Sequence, residues 1–191
     1  MKLINTDIEG VFVIEPQLFE DDRGYFFESF SDAKFRELTG LDTTFVQDNE
    51  SRSKEGVVRG LHFQRPPFAQ SKLVRVVEGE ILDVAVDIRR GSPTFGRSVA
   101  VVLSAENHRQ LFVPRGFAHG FVVRRGDAVV QYKCDNPYAK ECEGSIMWND
   151  ADLAVDWGID PAKAILSAKD MLSPQLRECD ELFDYGVDYY A

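Results

Sequence analysis

The stretch KLVRVVEGEILDVAVDIR, residues 72–89, decides the fold class. Strand side chains point to opposite faces at successive residues, so alternation with a period of two marks a strand. Leu82, Val84, Val86 and Ile88 share one parity, and Asp83, Ala85 and Asp87 share the other. Glu78-Gly79 interrupts the alternation and predicts a hairpin there, with one strand on each side. The same pattern continues outward in FGRSVAVVL (95–103), QLFVP (110–114), GFVVRR (120–125), DAVVQYKC (127–134) and GSIMWND (144–150). Turn signals fall between them at RRGSPTFG (89–96), PRGFAHG (114–120), RRGD (124–127) and DNPYAK (135–140). Many short strands at this spacing predict a mainly β protein, an antiparallel sandwich or barrel of the jelly-roll type. Two flanking helices are expected. SDAKFRELTG (31–40) has Ser31 as an N-cap and Gly40 as a stop, and SPQLRECDELF (173–183) has Ser173 as a cap and Pro174 in the first helical position.

Composition narrows the function. The 191 residues are 44% hydrophobic and 28% charged, the balance of a soluble globular chain rather than a disordered one. The chain holds no linker, low-complexity tract or repeat, so one domain over residues 1–191 is expected. Its longest apolar runs are about five residues, too short to span a bilayer. The start, MKLINTDIEG, lacks a secretory pattern, and three cysteines without C-x-x-C spacing suggest neither a disulfide framework nor a zinc site. A reducing, cytoplasmic location is the expectation. A net charge of −10 argues against nucleic-acid binding, which needs a basic face. An anionic small molecule would need a local basic cluster instead. No G-x-G-x-x-G or G-x-x-x-x-G-K-[ST] motif offers a dinucleotide or P-loop site.

Such a cluster surrounds His62, where Arg59, Gln64, Arg65, Gln70 and Lys72 fall within a few residues. Three readings of His62 stand: a metal ligand, a hydrogen-bonded core imidazole, or a base beside an anion site. The position two after it is Gln64 rather than a second histidine, which weakens the metal reading. His119, in PRGFAHGFVV, follows a tight turn and begins a strand. It either stabilises that turn or faces a barrel mouth. Tyr132, on an alternating strand, reads by itself as a packing residue.

RGLHFQ (59–64), AQSKLVRVVEGEILDVAVDIRRGSPTFG (69–96), LSAEN (103–107), FVPRGFAHGF (112–121), YKCDNPY (132–138), MWNDADLAVDW (147–157) and LSAKD (166–170) together resemble the dTDP-4-dehydrorhamnose 3,5-epimerase family of the cupin superfamily. The likeness runs in order from about residue 3 to about residue 175. The tail from about 180 to 191 matches nothing diagnostic. The resemblance implies a cupin double-stranded β-helix, a homodimer, no metal and no organic cofactor. The implied substrate is dTDP-4-dehydro-6-deoxy-D-glucose, inverted at C3 and C5. The related alternative is an enzyme that inverts only one of these carbons.

The roles the resemblance assigns make chemical sense. C3 and C5 flank the C4 ketone, so epimerisation needs a base on one face, charge stabilisation at O4 and an acid on the other face. His62 matches the base and Asp170 its carboxylate partner. Lys72 matches the stabiliser of the developing O4 charge, and Tyr132 the opposed acid. His119 matches a sugar contact, with Asp83 to orient it. Arg23, Arg59 and Lys169 match diphosphate and sugar contacts, for which Arg is suited by its bidentate fork. Glu28, Gln47, Asp48, Asn49 and Glu143 match further substrate contacts, and Tyr138 the aromatic that stacks on thymine. The segment from Arg23 to Glu28 is implied to complete a partner's site.

Overall fold

The computed structural model describes residues 1–190; Ala191, the last residue of the expected domain and tail, lies outside the described residues. The strands are β1 (Lys2–Asn5), β2 (Phe12–Glu15), β3 (Phe19–Asp21), β4 (Gly24–Phe26), β5 (Gln47–Ser53), β6 (Val58–Gln64), β7 (Lys72–Asp87), β8 (Arg89–Arg90), β9 (Ser98–Ser104), β10 (Gln110–Val113), β11 (Phe117–Cys134), β12 (Glu143–Ser145) and β13 (Phe183–Asp184). One α-helix, α1 (Asp32–Thr39), forms where the caps predict it. The Ser31 side chain accepts from Lys34 N, and Gly40 closes the helix in the left-handed region.

The opening stretch is not a hairpin. β7 runs unbroken through Gly79, and β11 likewise absorbs the expected RRGD turn. The two long strands pair antiparallel from Phe117↔Asp87 to Cys134↔Lys72, with register shifts where both bend. At that bend a Cβ on Gly79 would sit 2.2 Å from Asp127 O, so only glycine allows the close approach, at φ +79°.

The bend turns each long strand into a member of two facing layers. The first half of β7 and the second half of β11 form one layer, extended by β10, β2 and β1 beyond β7 and by β5 beyond β11; the second half of β7 and the first half of β11 form the other, extended by β9 beyond β7 and by β6 and β12 beyond β11. The result is the expected jelly roll, a double-stranded β-helix. Between the layers lies an apolar cluster that includes Val74, Ile81, Leu111, Phe117 and Val130. Asp83 and Ala85 also face this interior, because His119 and Phe121 opposite them do. Val84, Val86 and Ile88 point the other way, onto a second cluster with Ile146, Trp148, Trp157, Leu176 and Phe183 from the C-terminal segment. Fully burying such a side chain stabilises by about 1.5–3 kcal/mol, so the C-terminal third acts as a structural cover. Phe35 of α1 covers the outside of the first layer against Phe12 and Phe112.

Two local expectations change. GSIMWND is strand only up to Ser145, after which Ile146 exchanges backbone bonds with Leu61 and the chain turns. SPQLRECDELF forms only a 3-10 turn, Leu176–Glu178, capped by Gln175 rather than Ser173. The Ser173 hydroxyl instead donates to Ser145 Oγ, and Leu176 N donates to Asp150 Oδ2 at 2.6 Å. Tertiary partners have taken the groups a longer helix would use.

Candidate active site

β6 carries His62, and a bulge decides what shares its face. Arg59 pairs with Phe121 and His62 with His119, so three steps on β6 match two on β11. In a regular strand residues three apart face opposite sides; the extra residue brings Arg59 and His62 to one face, with Arg59 at its exposed edge, where Nε donates to Ser53 Oγ at 2.9 Å. Facing glycines make room: a Cβ on Gly60 would lie 2.6 Å from Gly120 Cα.

His62 Nε2 lies 2.6 Å from Asp170 Oδ1. Asp170, nearly buried in a 3-10 turn of the C-terminal segment, also accepts from Ser167 Oγ at 2.9 Å. Burial raises the Asp170 pKa, but the His62 bond and charge, Ser167 and Lys169 carry it below the usual carboxylate value. An ionised carboxylate only accepts, so Nε2 carries the hydrogen and the other ring nitrogen is free to act as a base. Ser167 was not singled out in the sequence, although its S-x-x-D spacing to Asp170 is that of a local side-chain turn.

A second imidazole–carboxylate pair sits beside the first. His119 Nε2 is 2.7 Å from Asp83 Oδ1, and both side chains are buried. Burial, with Lys72 and His62 nearby, lowers the His119 pKa despite Asp83, so this ring is held neutral. Asp83 Oδ2 is buried without a hydrogen-bond partner among the described residues.

Lys72 and Tyr132 enter from the other layer. Lys72 pairs with Cys134, two residues beyond Tyr132 and so on the same face, and Lys72 Nζ lies 5.9 Å from the Tyr132 ring centroid. Loss of solvent lowers the Lys72 pKa, against the attraction of Asp83 and Glu143. Burial pushes the Tyr132 hydroxyl up, opposed by Arg59, so it stays protonated and able to donate.

A cavity of about 290 Å³ collects these groups: His62, Lys72 and Tyr132 line it with Gln47, Asn49, Tyr138 and Glu143. At the rim Glu143 bonds Lys169 Nζ at 2.6 Å and the Tyr138 hydroxyl at 3.2 Å. Burial raises the Glu143 pKa, but Lys169 and Tyr138 take it below its usual value. Gln47 accepts from Tyr138 N at 3.0 Å and donates to Asn49 at 3.0 Å. Gln64 lines the cavity too, but its amide is spent tying the Phe68 and Pro137–Ala139 loops. Among the described residues no three His, Cys, Asp or Glu side chains converge as a metal ligand set would.

Three expected contacts lie away from this cavity. Asp48 points to the opposite face of β5, where it pairs with Lys133 at 2.8 Å, since its parity differs from that of Gln47 and Asn49. Arg23, 87% exposed, pairs with Asp21 on the projecting β3–β4 arm. Glu28 pairs with Lys34 at 2.9 Å. Arg65, in the basic cluster, turns outward to Glu181 at 3.3 Å. A larger groove of about 760 Å³ between the N-terminal strands and the C-terminal tail lacks any base–acid pairing of this kind.

Comparison with known proteins gives the family. A dTDP-4-dehydrorhamnose 3,5-epimerase from Salmonella typhimurium is 53% identical over 176 residues, covering 92% of this chain and 96% of that one. A solved dTDP-4-dehydrorhamnose 3,5-epimerase from Elizabethkingia anophelis is 55% identical with a TM-score of 0.89, covering 93% and 97% of the two chains. A dTDP-6-deoxy-D-glucose-3,5-epimerase from Legionella pneumophila, solved with dTDP-4-keto-L-rhamnose, is 48% identical with a TM-score of 0.94, covering 97% and 99%. The family model described as dTDP-4-dehydrorhamnose 3,5-epimerase matches residues 5–178, and with it the segments that carry the two histidines, Lys72, Tyr132 and Asp170; the chain belongs to this family.

Proposed function

We propose that this protein epimerises C3 and C5 of dTDP-4-dehydro-6-deoxy-D-glucose to give dTDP-4-dehydro-L-rhamnose. The observation that carries this reading is the His62–Asp170 pair, joined in one cavity by Lys72 and Tyr132 from the opposite layer. The free nitrogen of His62 removes the proton beside the ketone, and Asp170 stabilises the imidazolium that forms. The electron pair moves onto O4, where the Lys72 ammonium faces it. Tyr132 then returns a proton to the same carbon from the other side, and the configuration inverts. Once His62 has passed its proton to solvent and Tyr132 has regained one, repetition at the second carbon alpha to the ketone gives the double epimer. Neutral His119, with Nε2–H held by Asp83, presents its other nitrogen to a sugar hydroxyl. A cavity of this size takes the sugar, and the nucleotide runs out over the rim past Tyr138, Lys169 and Arg59.

The working form is a homodimer. The β3–β4 arm projects with Phe19, Tyr25 and Phe26 at 58%, 59% and 69% exposure, a surface that supports burial against a second chain. There Arg23 and Glu28 reach the partner's substrate. Among the described residues no helix is long and apolar enough to cross a membrane, and the reading places the enzyme in the cytoplasm. The test is turnover of the thymidine-linked 4-keto sugar in deuterium oxide, coupled to a downstream reductase. Label at both C3 and C5 supports the double epimerase; label at one carbon only replaces it with a mono-epimerase.

A further inference from the structure

The family match ends at residue 178, yet the tail beyond it is built into the wall behind Lys72. The Tyr190 hydroxyl lies 2.7 Å from Ser71 Oγ and accepts from Arg115 N at 3.2 Å. Ser71 is fully buried. Ser71 N donates to Asp135 Oδ1 at 2.6 Å, and Asp135 N returns a bond to Ser71 O at 3.3 Å. Asp135 Oδ2 accepts from Arg115 Nε at 3.0 Å, and the Arg115 guanidinium lies 4.8 Å from the Tyr190 ring centroid. Tyr190, Ser71, Asp135 and Arg115 thus form a closed ring of contacts. The tail is held on the way there: Arg90 donates to the Cys179 and Asp180 carbonyls, each at 2.8 Å, and Phe183 is buried.

This ring sits at the start of a long strand. Ser71 immediately precedes Lys72, the first residue of β7, and strand ends open locally before their centres do. Lys72 has no ion-pair partner among the described residues, so the position of its flexible stem depends on its backbone anchor. A stabilising charge displaced by about an ångström loses much of its effect on a transition state.

We propose that Tyr190 is a positioning residue, which through Ser71 pins the start of β7 and so holds the Lys72 ammonium at the reacting oxygen. This rests on the reading of Lys72 given above. The test is Tyr190→Phe in the full chain, with steady-state kinetics on the same substrate and a melting curve. The expected result is a kcat about 5–10-fold lower, the scale of one lost hydrogen bond, with KM within about twofold. Ser71→Ala gives the same loss, and the double variant adds nothing to it. An inactive wild-type protein refutes the epimerase reading and this inference together. With an active wild type, an unchanged kcat, a change in KM alone, or additive losses in the double variant overturns the inference alone. So does a kcat deficit that vanishes when the assay is cooled in step with a lowered melting temperature, because that marks fold maintenance only.

Discussion

Asp170→Asn tests the paired base directly. The substitution keeps shape and a hydrogen bond but removes the charge 2.6 Å from His62 Nε2. Two unit charges about 4 Å apart interact by ~4 kcal/mol at an effective dielectric constant near 20. The His62 side chain is 31% exposed, so water screens part of this. A loss of about 2–3 kcal/mol in imidazolium stabilisation remains, within the range of charge-assisted hydrogen bonds. That corresponds to a kcat roughly 30–150-fold lower. KM should barely change, because the imidazolium exists only as the proton leaves carbon. The assay is the coupled reductase assay with deuterium wash-in at C3 and C5, and exchange at both carbons should slow alongside turnover. A folded Asp170→Asn protein with kcat within about threefold of wild type would remove Asp170 from the mechanism. Stability supplies an independent readout. The folded-state pKa of Asp170 lies below its usual value, so its contribution is present above the unfolded pKa and lost as pH falls through the folded one. The melting-temperature gap between wild type and Asp170→Asn should therefore close on acidification below about pH 4.

Tyr132→Phe should leave deuterium exchange at C5 partly intact while the inverted product falls sharply; an equal fall in both would mean that Tyr132 is not the dedicated acid. Gly79→Ala should destabilise by at least about 2 kcal/mol, from its positive φ and the approach to Asp127 O, which is roughly a 4–8 °C drop in melting temperature. A melting point within about 1 °C of wild type would show that the bend does not need glycine. Burial, with Lys72 opposing, pushes the Cys134 thiol up to about 11. At pH 8 its thiolate fraction is on the order of 10⁻³, so a disulfide reagent should leave it unmodified until the protein unfolds. Rapid labelling of native Cys134 would contradict its burial.

Local chemistry made part of this molecule readable. The cap pair Ser31 and Gly40 sets α1 because both act through neighbouring backbone groups. The alternation in 72–89 announced a strand with Asp83 on one parity and Val84 on the other. It did not say which parity faces the interior, and the usual rule of apolar inside is incomplete here. Both faces are buried, the polar one into the site and the apolar one beneath the C-terminal cover. The Gly79 break was misread because a tight turn and a sharp bend ask for the same residue. Only the partner strand, with Asp127 O packed against Gly79, tells them apart.

The site divides in the same way. Residue types and family likeness named His62, Lys72, Tyr132, Asp170 and the rim groups, and the structure gathers most of them. Asp48 points away from the cavity because three consecutive strand residues cannot all face one way. The bulge that turns Arg59 and His62 together, the Ser167 support of Asp170 and the Tyr190–Ser71 contact across 119 positions have no local signature. By itself the sequence determined strand periodicity, the capped helix and the residue types available to a site, because these rest on neighbouring residues and side-chain chemistry. Only the tertiary structure decided which face is inner, where the long strands bend and which distant groups meet. Those outcomes depend on contacts between layers, and the free energy of such contacts belongs to pairs of segments, not to either segment alone.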